Sequence, residues 1–242
     1  MLKYKILLYV ICMSVMLFIA GCVSSMSPAP TDYNKILSQN LDNLDKKCIV
    51  LATSTASVAG GKHTLLPLLF LINDENTEDP EKYHFSSTTG SHHRFLSGDR
   101  SYYLHVLELD EGNKLLYSIR GKVLRTDSIT GDPPRFETPI LLNFTANKNK
   151  IIYIGNIHMF LRNKKAESEI RSGPYTPLLS QVGMDKMTFD IEITDQYEKD
   201  LNEFIKKCPA FSSYDINKQI LPAWKRPTKE EFVPAKTHLF FY

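Results

Sequence analysis

Residues 186–209 read KMTFDIEITDQYEKDLNEFIKKCP. Met187, Phe189, Ile191 and Ile193 alternate with Lys186, Thr188, Asp190, Glu192 and Thr194. That period of two belongs to a half-buried strand with one wet face. The period then changes. Tyr197, Leu201, Phe204, Ile205 and Cys208 fall on one side of a helix. Asp195, with Glu198 three residues on, has the arrangement of a capping box. Lys206 and Lys207 suit the negative end of the helix dipole, and Pro209 stops the helix. A sheet with one late helix packed on it follows from this stretch alone.

Upstream the pattern stays β-rich. Cys48–Thr53 and Leu65–Ile72 are apolar runs separated by Gly60-Gly61, and Asn73–Glu81 is an acidic loop. Tyr102–Leu109 and Lys114–Leu124 flank Asp110-Glu111-Gly112-Asn113, which predicts a hairpin. Phe136–Thr145 and Ile151–Leu161 flank residues 146–150 and predict a second. Loops are expected at 130–134 and 167–182. No strand–helix–strand alternation is present, so a parallel doubly wound sheet is not expected. The expected fold is mainly β: an antiparallel β-sandwich with one late α-helix packed on it.

The N-terminus carries a different message. Lys3 and Lys5 precede an uncharged, almost wholly apolar run from Ile6 to Ala20, too short for a spanning helix and right for a signal peptide. It ends in Ile19-Ala20-Gly21-Cys22, which resembles the lipobox of bacterial lipoproteins. The resemblance implies cleavage before Cys22, lipidation of that thiol and membrane anchoring through acyl chains such as palmitate. Each buried methylene contributes about 0.8 kcal/mol, and stable anchoring takes more than one chain. Val23 stands where an Asp would resemble an inner-membrane retention signal. The expected location is therefore the outer membrane, facing the periplasm.

Cleavage removes two lysines and no acid, so the formal net charge of +2 falls to zero. A neutral chain with interspersed signs has no electrostatic footprint for nucleic acid. The expected organisation is a signal peptide at 1–21, a tether with a weak helix at 22–45, a sandwich domain at 46–208 and a tail rich in proline and aromatics at 209–242. Two cysteines remain beyond the anchor, Cys48 and Cys208. An isolated pair in an oxidising compartment predicts a disulfide, closing a loop of about 160 residues and contributing up to roughly 4–5 kcal/mol. Two buried free thiols are the alternative. Neither sits in a CxxC motif, so a nucleophilic thiol is less expected.

Ile151–Ile157, with its Tyr153-Ile154-Gly155-Asn156-Ile157, carries a further resemblance, together with Asp195-Gln196-Tyr197-Glu198-Lys199-Asp200-Leu201 and Cys208-Pro209. Residues 100–211 are similar to uncharacterised secreted or lipid-anchored β-sandwich proteins of bacteria. The likeness implies a fold and no activity.

Candidate chemistry is sparse. His92-His93 beside Ser91 suggests metal ligands or a base near a serine. Adjacent strand residues point to opposite faces, no third ligand stands at a metal spacing, and a solvated loop accounts for the stretch more simply. Gly60-Gly61-Lys62 lacks the earlier glycine of a phosphate loop, since Ala56 stands there, and reads as a turn. His105 and His158 read as hydrogen-bonded sheet residues. Glu108, Asp110 and Glu111 border a turn and read as solvated. Tyr102, Tyr103, Tyr117 and Tyr153 read as packing aromatics rather than a groove. No cofactor or metal pattern is present. The tail carries Phe211, Tyr214, Ile216, Ile220, Leu221, Trp224, Phe232 and Leu239–Tyr242. It is expected to pack on the domain, with an envelope protein partner as the alternative. The functional expectation is a lipid-anchored, non-catalytic binding or scaffolding module of the cell envelope. A hydrolase using Ser91 and His92 or His93, and a small-molecule carrier, are the alternatives.

Overall fold

The computed structural model describes residues 41–59, 63–75, 84–87, 92–97, 100–125, 135–172 and 186–232. The strands are β1 (Cys48–Val58), β2 (His63–Asp74), β3 (His84–Ser87), β4 (His92–Ser97), β5 (Arg100–Leu109), β6 (Gly112–Arg125), β7 (Arg135–Ala146), β8 (Ile151–Asn163) and β9 (Met187–Thr194). Helix α1 (Tyr197–Lys207), a 3-10 turn (Pro209–Ser213) and β10 (Ile216–Lys218) follow. The protein is mainly β, and its described residues form two sheets and the helix expected after β9.

The first sheet runs β4–β5–β1–β8, and the far edge of β8 is shared end to end by β10 and β9. The second sheet runs β3–β2–β6–β7 and is antiparallel. The first sheet is mixed, which corrects the antiparallel expectation: β8 runs parallel to both β1 and β10. The reason is local. β1 and β8 enter the sheet at the same pole, where the Ile49 N–H donates to Lys150 O at 3.0 Å.

Neither expected hairpin forms. β5 lies in the first sheet and β6 in the second; β7 lies in the second and β8 in the first. Turn residues alone say that the chain reverses, not which sheet receives it. Here both short connections cross between sheets. They meet at one pole, where Lys47 pairs with Asp110 at 2.7 Å and Lys148 with Glu111 at 3.8 Å.

β1 is apolar without alternation because it is covered on both faces. Cys48, Val50 and Ala52 join a cluster that also takes Phe70 and Ile72 of β2, Leu116 of β6 and Phe136 of β7. Ile49 and Leu51 join another, under Phe204, Cys208 and Phe211. We call the second side the outer face of the first sheet. The expected Cys48–Cys208 bridge is therefore corrected. Both thiols are free and buried, and the first sheet separates the clusters they occupy. Cys208 does point inward as its helical spacing required, but not towards the face that takes Cys48.

The cap of α1 also differs. Gln196 occupies the cap position without a side-chain bond, and Asp195 works from one residue earlier. Its Oδ1 accepts from the Tyr197 N–H at 3.1 Å, and its Oδ2 accepts from Lys218 at 2.8 Å.

Up to Phe232 the C-terminal segment is packed. Leu221 is buried in the inter-sheet cluster, Trp224 Nε1 donates to Pro139 O at 3.2 Å, and Phe232 stacks on Tyr117 with centroids 5.1 Å apart. Residues 233–242 lie outside the described residues.

β8 carries a bulge. Leu51 pairs with Tyr153, but Thr53 pairs with Asn156, so Ile154 and Gly155 together oppose Ala52. Gly155 has φ +113°, and a Cβ there would lie 3.4 Å from Thr194 O. A side chain costs strain at such an angle. Gly155→Val is expected to lower unfolding free energy by about 1–3 kcal/mol, read as a lowered urea midpoint. A midpoint unchanged from the parent would show that the bulge is not needed.

Candidate functional site

The bulge decides which side chains of β8 share a face. Before it Tyr153 points outward; after it Asn156, His158 and Phe160 do, while Ile157, Met159 and Leu161 point into the inter-sheet cluster. The outer face of the first sheet therefore carries three rows across β1, β8 and β9. They are Thr53–Asn156–Thr194, Thr55–His158–Glu192 and Ser57–Phe160–Asp190.

Helix α1 covers the first row. Asp200 lies on its apolar stripe, three residues after Tyr197 and four before Phe204, and is fully buried. Its Oδ2 accepts from Tyr153 Oη at 2.5 Å and from Thr53 Oγ1, and Asn156 Nδ2 donates to Thr53 Oγ1 at 2.7 Å. Oδ1 is buried without a protein partner. Loss of water disfavours the charged form more than these donors favour it, so the carboxyl is held above the usual range. Burial, and then the nearby Asp200 charge, push the Tyr153 phenol up as well.

Beyond the helix the second and third rows become exposed only towards β9, Thr55 being buried. Ser57 Oγ lies 3.0 Å from His158 Nε2, and His158 Nδ1 lies 3.8 Å from Glu192 Oε2. The His158 side chain is 18 % exposed and that of Glu192 71 %. Phe160, 37 % exposed, stands beside them. Next to the third row Arg162 grips Glu169 at 2.7 Å and Asp190 at 2.6 Å. Its hydrogen bonds hold the Glu169 carboxyl down at about 2, and Arg226 also binds Asp190. Both arginines are thus neutralised by carboxylates.

The residues singled out from sequence scatter. Cys22, Ser91 and Gly60-Gly61-Lys62 lie outside the described residues. His92 and His93 lie on strand β4, paired with His105 and Leu104, rather than in the solvated loop expected of them. His105 is buried, 2.7 Å from Ser54 Oγ and against the Phe70 ring. Burial pushes the Cys48 thiol up to about 11, which suits an inert core residue. Tyr102, Tyr103, Tyr117 and Tyr153 are all buried and line no common groove. Glu108 meets Asn43, while Asp110 and Glu111 meet lysines at the pole of the two crossings. Ser57, Phe160, Glu192 and Asp200 were not singled out. Only Asp200 had a signal, a carboxylate on an otherwise apolar helix stripe. Among the described residues no group of three metal-ligating side chains occurs, and no helix is long and apolar enough to cross a membrane.

Comparison with protein-family models, with curated proteins and with solved structures returned no match.

Two predictions follow from these buried groups. The thiols of Cys48 and Cys208 should resist alkylation in the native protein and react on unfolding, and non-reducing peptide maps should show them unlinked. A Cys48–Cys208 linked peptide would refute the assignment to separate clusters. For Asp200 the sign is set by its raised folded-state value. Its stabilising contribution is present at acid pH and is lost as pH rises through that value. Asp200→Asn should therefore gain on the parent in Tm as pH rises from acid to neutral. Asp200→Ala, which strands the Tyr153 and Thr53 hydroxyls, should cost about 1–3 kcal/mol. A Tm difference between Asp200→Asn and the parent that stays flat with pH would overturn the account.

Proposed function

We propose that this protein is a lipid-anchored module of the bacterial cell envelope that binds a partner without chemistry, built on a β-sandwich. The lipobox ending at Cys22 supports the anchor, with the membrane as first partner and the outer membrane facing the periplasm as location. One apolar cluster fed by both sheets supports the sandwich. The binding reading is carried by the outer face of the first sheet. Past α1 that face continues as Ser57, His158 and Glu192, held by contacts with one another, with the Glu192 carboxylate and the Phe160 ring exposed. Preset polar groups beside an apolar surface are what recognition requires.

Hydrolysis is a second reading, and it moves from Ser91 to Ser57. Ser57, His158 and Glu192 stand in the order of nucleophile, base and orienting carboxylate. A strand interior, however, commits its N–H groups to the ladder, and paired donors for an oxyanion are what such chemistry needs. Binding is the better supported reading. An envelope protein that meets the C-terminal tail is the further partner in this proposal.

Intact mass of the mature protein should show a chain starting at Cys22 with acyl chains attached, and Cys22→Ala should leave the membrane fraction. Photo-crosslinking residues at Phe160 and Glu192 in intact envelopes should capture a partner that the same residue at Tyr214, an exposed aromatic elsewhere, does not. Equal capture at all three positions would defeat the choice of face. Labelling of Ser57 by a fluorophosphonate probe would favour the hydrolase instead.

A further inference from the structure

The C-terminal segment closes into a turn before Phe232. The Thr228 N–H donates to Glu231 Oε2 at 2.7 Å, the Glu231 N–H to Thr228 Oγ1 at 3.3 Å, and the Phe232 N–H to Thr228 O at 3.3 Å. The two central residues of the turn, Lys229 and Glu230, are exposed. Its ends are pinned by Arg226, which binds Asp190, Thr188 and Phe189 O, and by Phe232 on Tyr117. Between this turn and the loop after β8 lies a cleft of about 310 Å³, with Ser168 and Glu169 on one wall and residues 226–230 on the other. That is the small end of the range for ligand clefts, about 300–1,000 Å³.

Hydrogen-bonding capacity remains in the cleft after the bonds of the fold are counted. Both Glu169 oxygens are held by Arg162. Arg226 has five N–H groups. Three of them bind Thr188, Phe189 O and Asp190. Its Nε lies 3.8 Å from Glu169, beyond hydrogen-bond reach. Lys229 gives one of its three protons to Glu167 O. Among the described residues the Ser168 hydroxyl and the Glu230 carboxylate have no hydrogen-bond partner. The cleft thus sets cationic donors on Arg226 and Lys229 beside one unengaged carboxylate on Glu230, and Pro227 adds an apolar wall.

Charge then selects the ligand. A simple anion meets Glu230, and a simple cation meets Lys229 and Arg226. An uncharged ligand takes water from charged groups and supplies no counter-charge. A molecule with an ammonium and an oxyanion a few ångström apart satisfies both signs.

We propose that the cleft between Ser168 and the Thr228–Glu231 turn binds a small zwitterion, its ammonium on Glu230 and its oxyanion on Lys229, Arg226 and Ser168. A free α-amino acid and the phosphoethanolamine headgroup of a lipid share this chemistry. The inference does not rest on the reading of the outer face of the first sheet. Exposed ion pairs are individually weak, so affinity of millimolar order is expected.

The site has its own reporter. Trp224 is the only tryptophan of the chain, and the Arg226 guanidinium lies 5.2 Å from its ring centre. Glycine, alanine, glutamine and phosphoethanolamine are titrated into the folded protein at low ionic strength. Trp224 emission and calorimetric heat are the readouts, with acetate and methylammonium as single-charge controls. At least one zwitterion should saturate at concentrations where neither control does. Saturation by amino acids makes a free amino acid the ligand, and saturation by phosphoethanolamine alone makes it a headgroup. Glu230→Gln and Lys229→Met should each weaken the zwitterion about tenfold. Glu230→Gln should also let acetate bind, which loss of a merely structural residue would not do. Circular dichroism of both variants should match the parent, since both side chains are exposed. The absence of a saturable signal from every zwitterion overturns the proposal. So does equal binding of acetate, or binding that both substitutions leave intact.

Discussion

β1 sends Cys48, Val50 and Ala52 to one side and Ile49 and Leu51 to the other, and both sides are shut off from water. A strand at the middle of a sheet cannot achieve this alone. One side needs the second sheet; the other needs α1, the 3-10 turn and Phe211. The apolar stripe of the helix and the separation of the two thiols are both consequences of that double cover. At roughly 25 cal/mol per Å² of apolar area removed from water, such a strand is where core burial is concentrated.

Among the described residues, the side where β7 and β9 run is closed by single residues. Ser172 receives the Glu137 N–H of β7 at 2.8 Å and gives its own N–H to Met187 O of β9 at 2.8 Å, joining the two sheets. Arg226 donates to Phe189 O at 2.6 Å. With its amide turned to suit its neighbours, Gln219 meets both backbone groups of Thr145, at 3.0 and 3.1 Å, as a paired strand would. Unpaired edges invite association with other chains. Here the C-terminal segment blunts one such edge with side chains.

Much of this was readable from the sequence. The switch of period at Asp195 placed β9 and α1, and the apolar runs located β1, β2, β5, β6, β7 and β8 to within a few residues. Pairing was not readable. Asp110–Asn113 and Ala146–Lys150 have the composition of reversals, and a reversal within a sheet looks the same as a crossing between sheets. Residues 151–161 read as one continuous strand, and strict alternation would have set Tyr153 and Asn156 on opposite faces. The bulge at Gly155 puts them together, and with them His158 and Phe160. A glycine in a strand marks that kind of break without saying which residues it brings together. The candidate face thus depends on one inserted residue and on partners about a hundred positions apart, neither of which a local pattern contains. Asp200 was the exception, legible as a carboxylate where the helix stripe wanted an apolar residue.

The parallel pairing of β1 with β8 also sets an order in time. Ile49 meets Ile151, and the cluster that β1 enters is finished only by Leu221. A chain emerging from its N-terminus therefore cannot complete its first strand's surroundings until most of it is out. Contacts this distant in sequence make folding slow. If the chain crosses a membrane before folding, as the proposed anchor requires, that slowness keeps it threadable, and the closing segment arrives last.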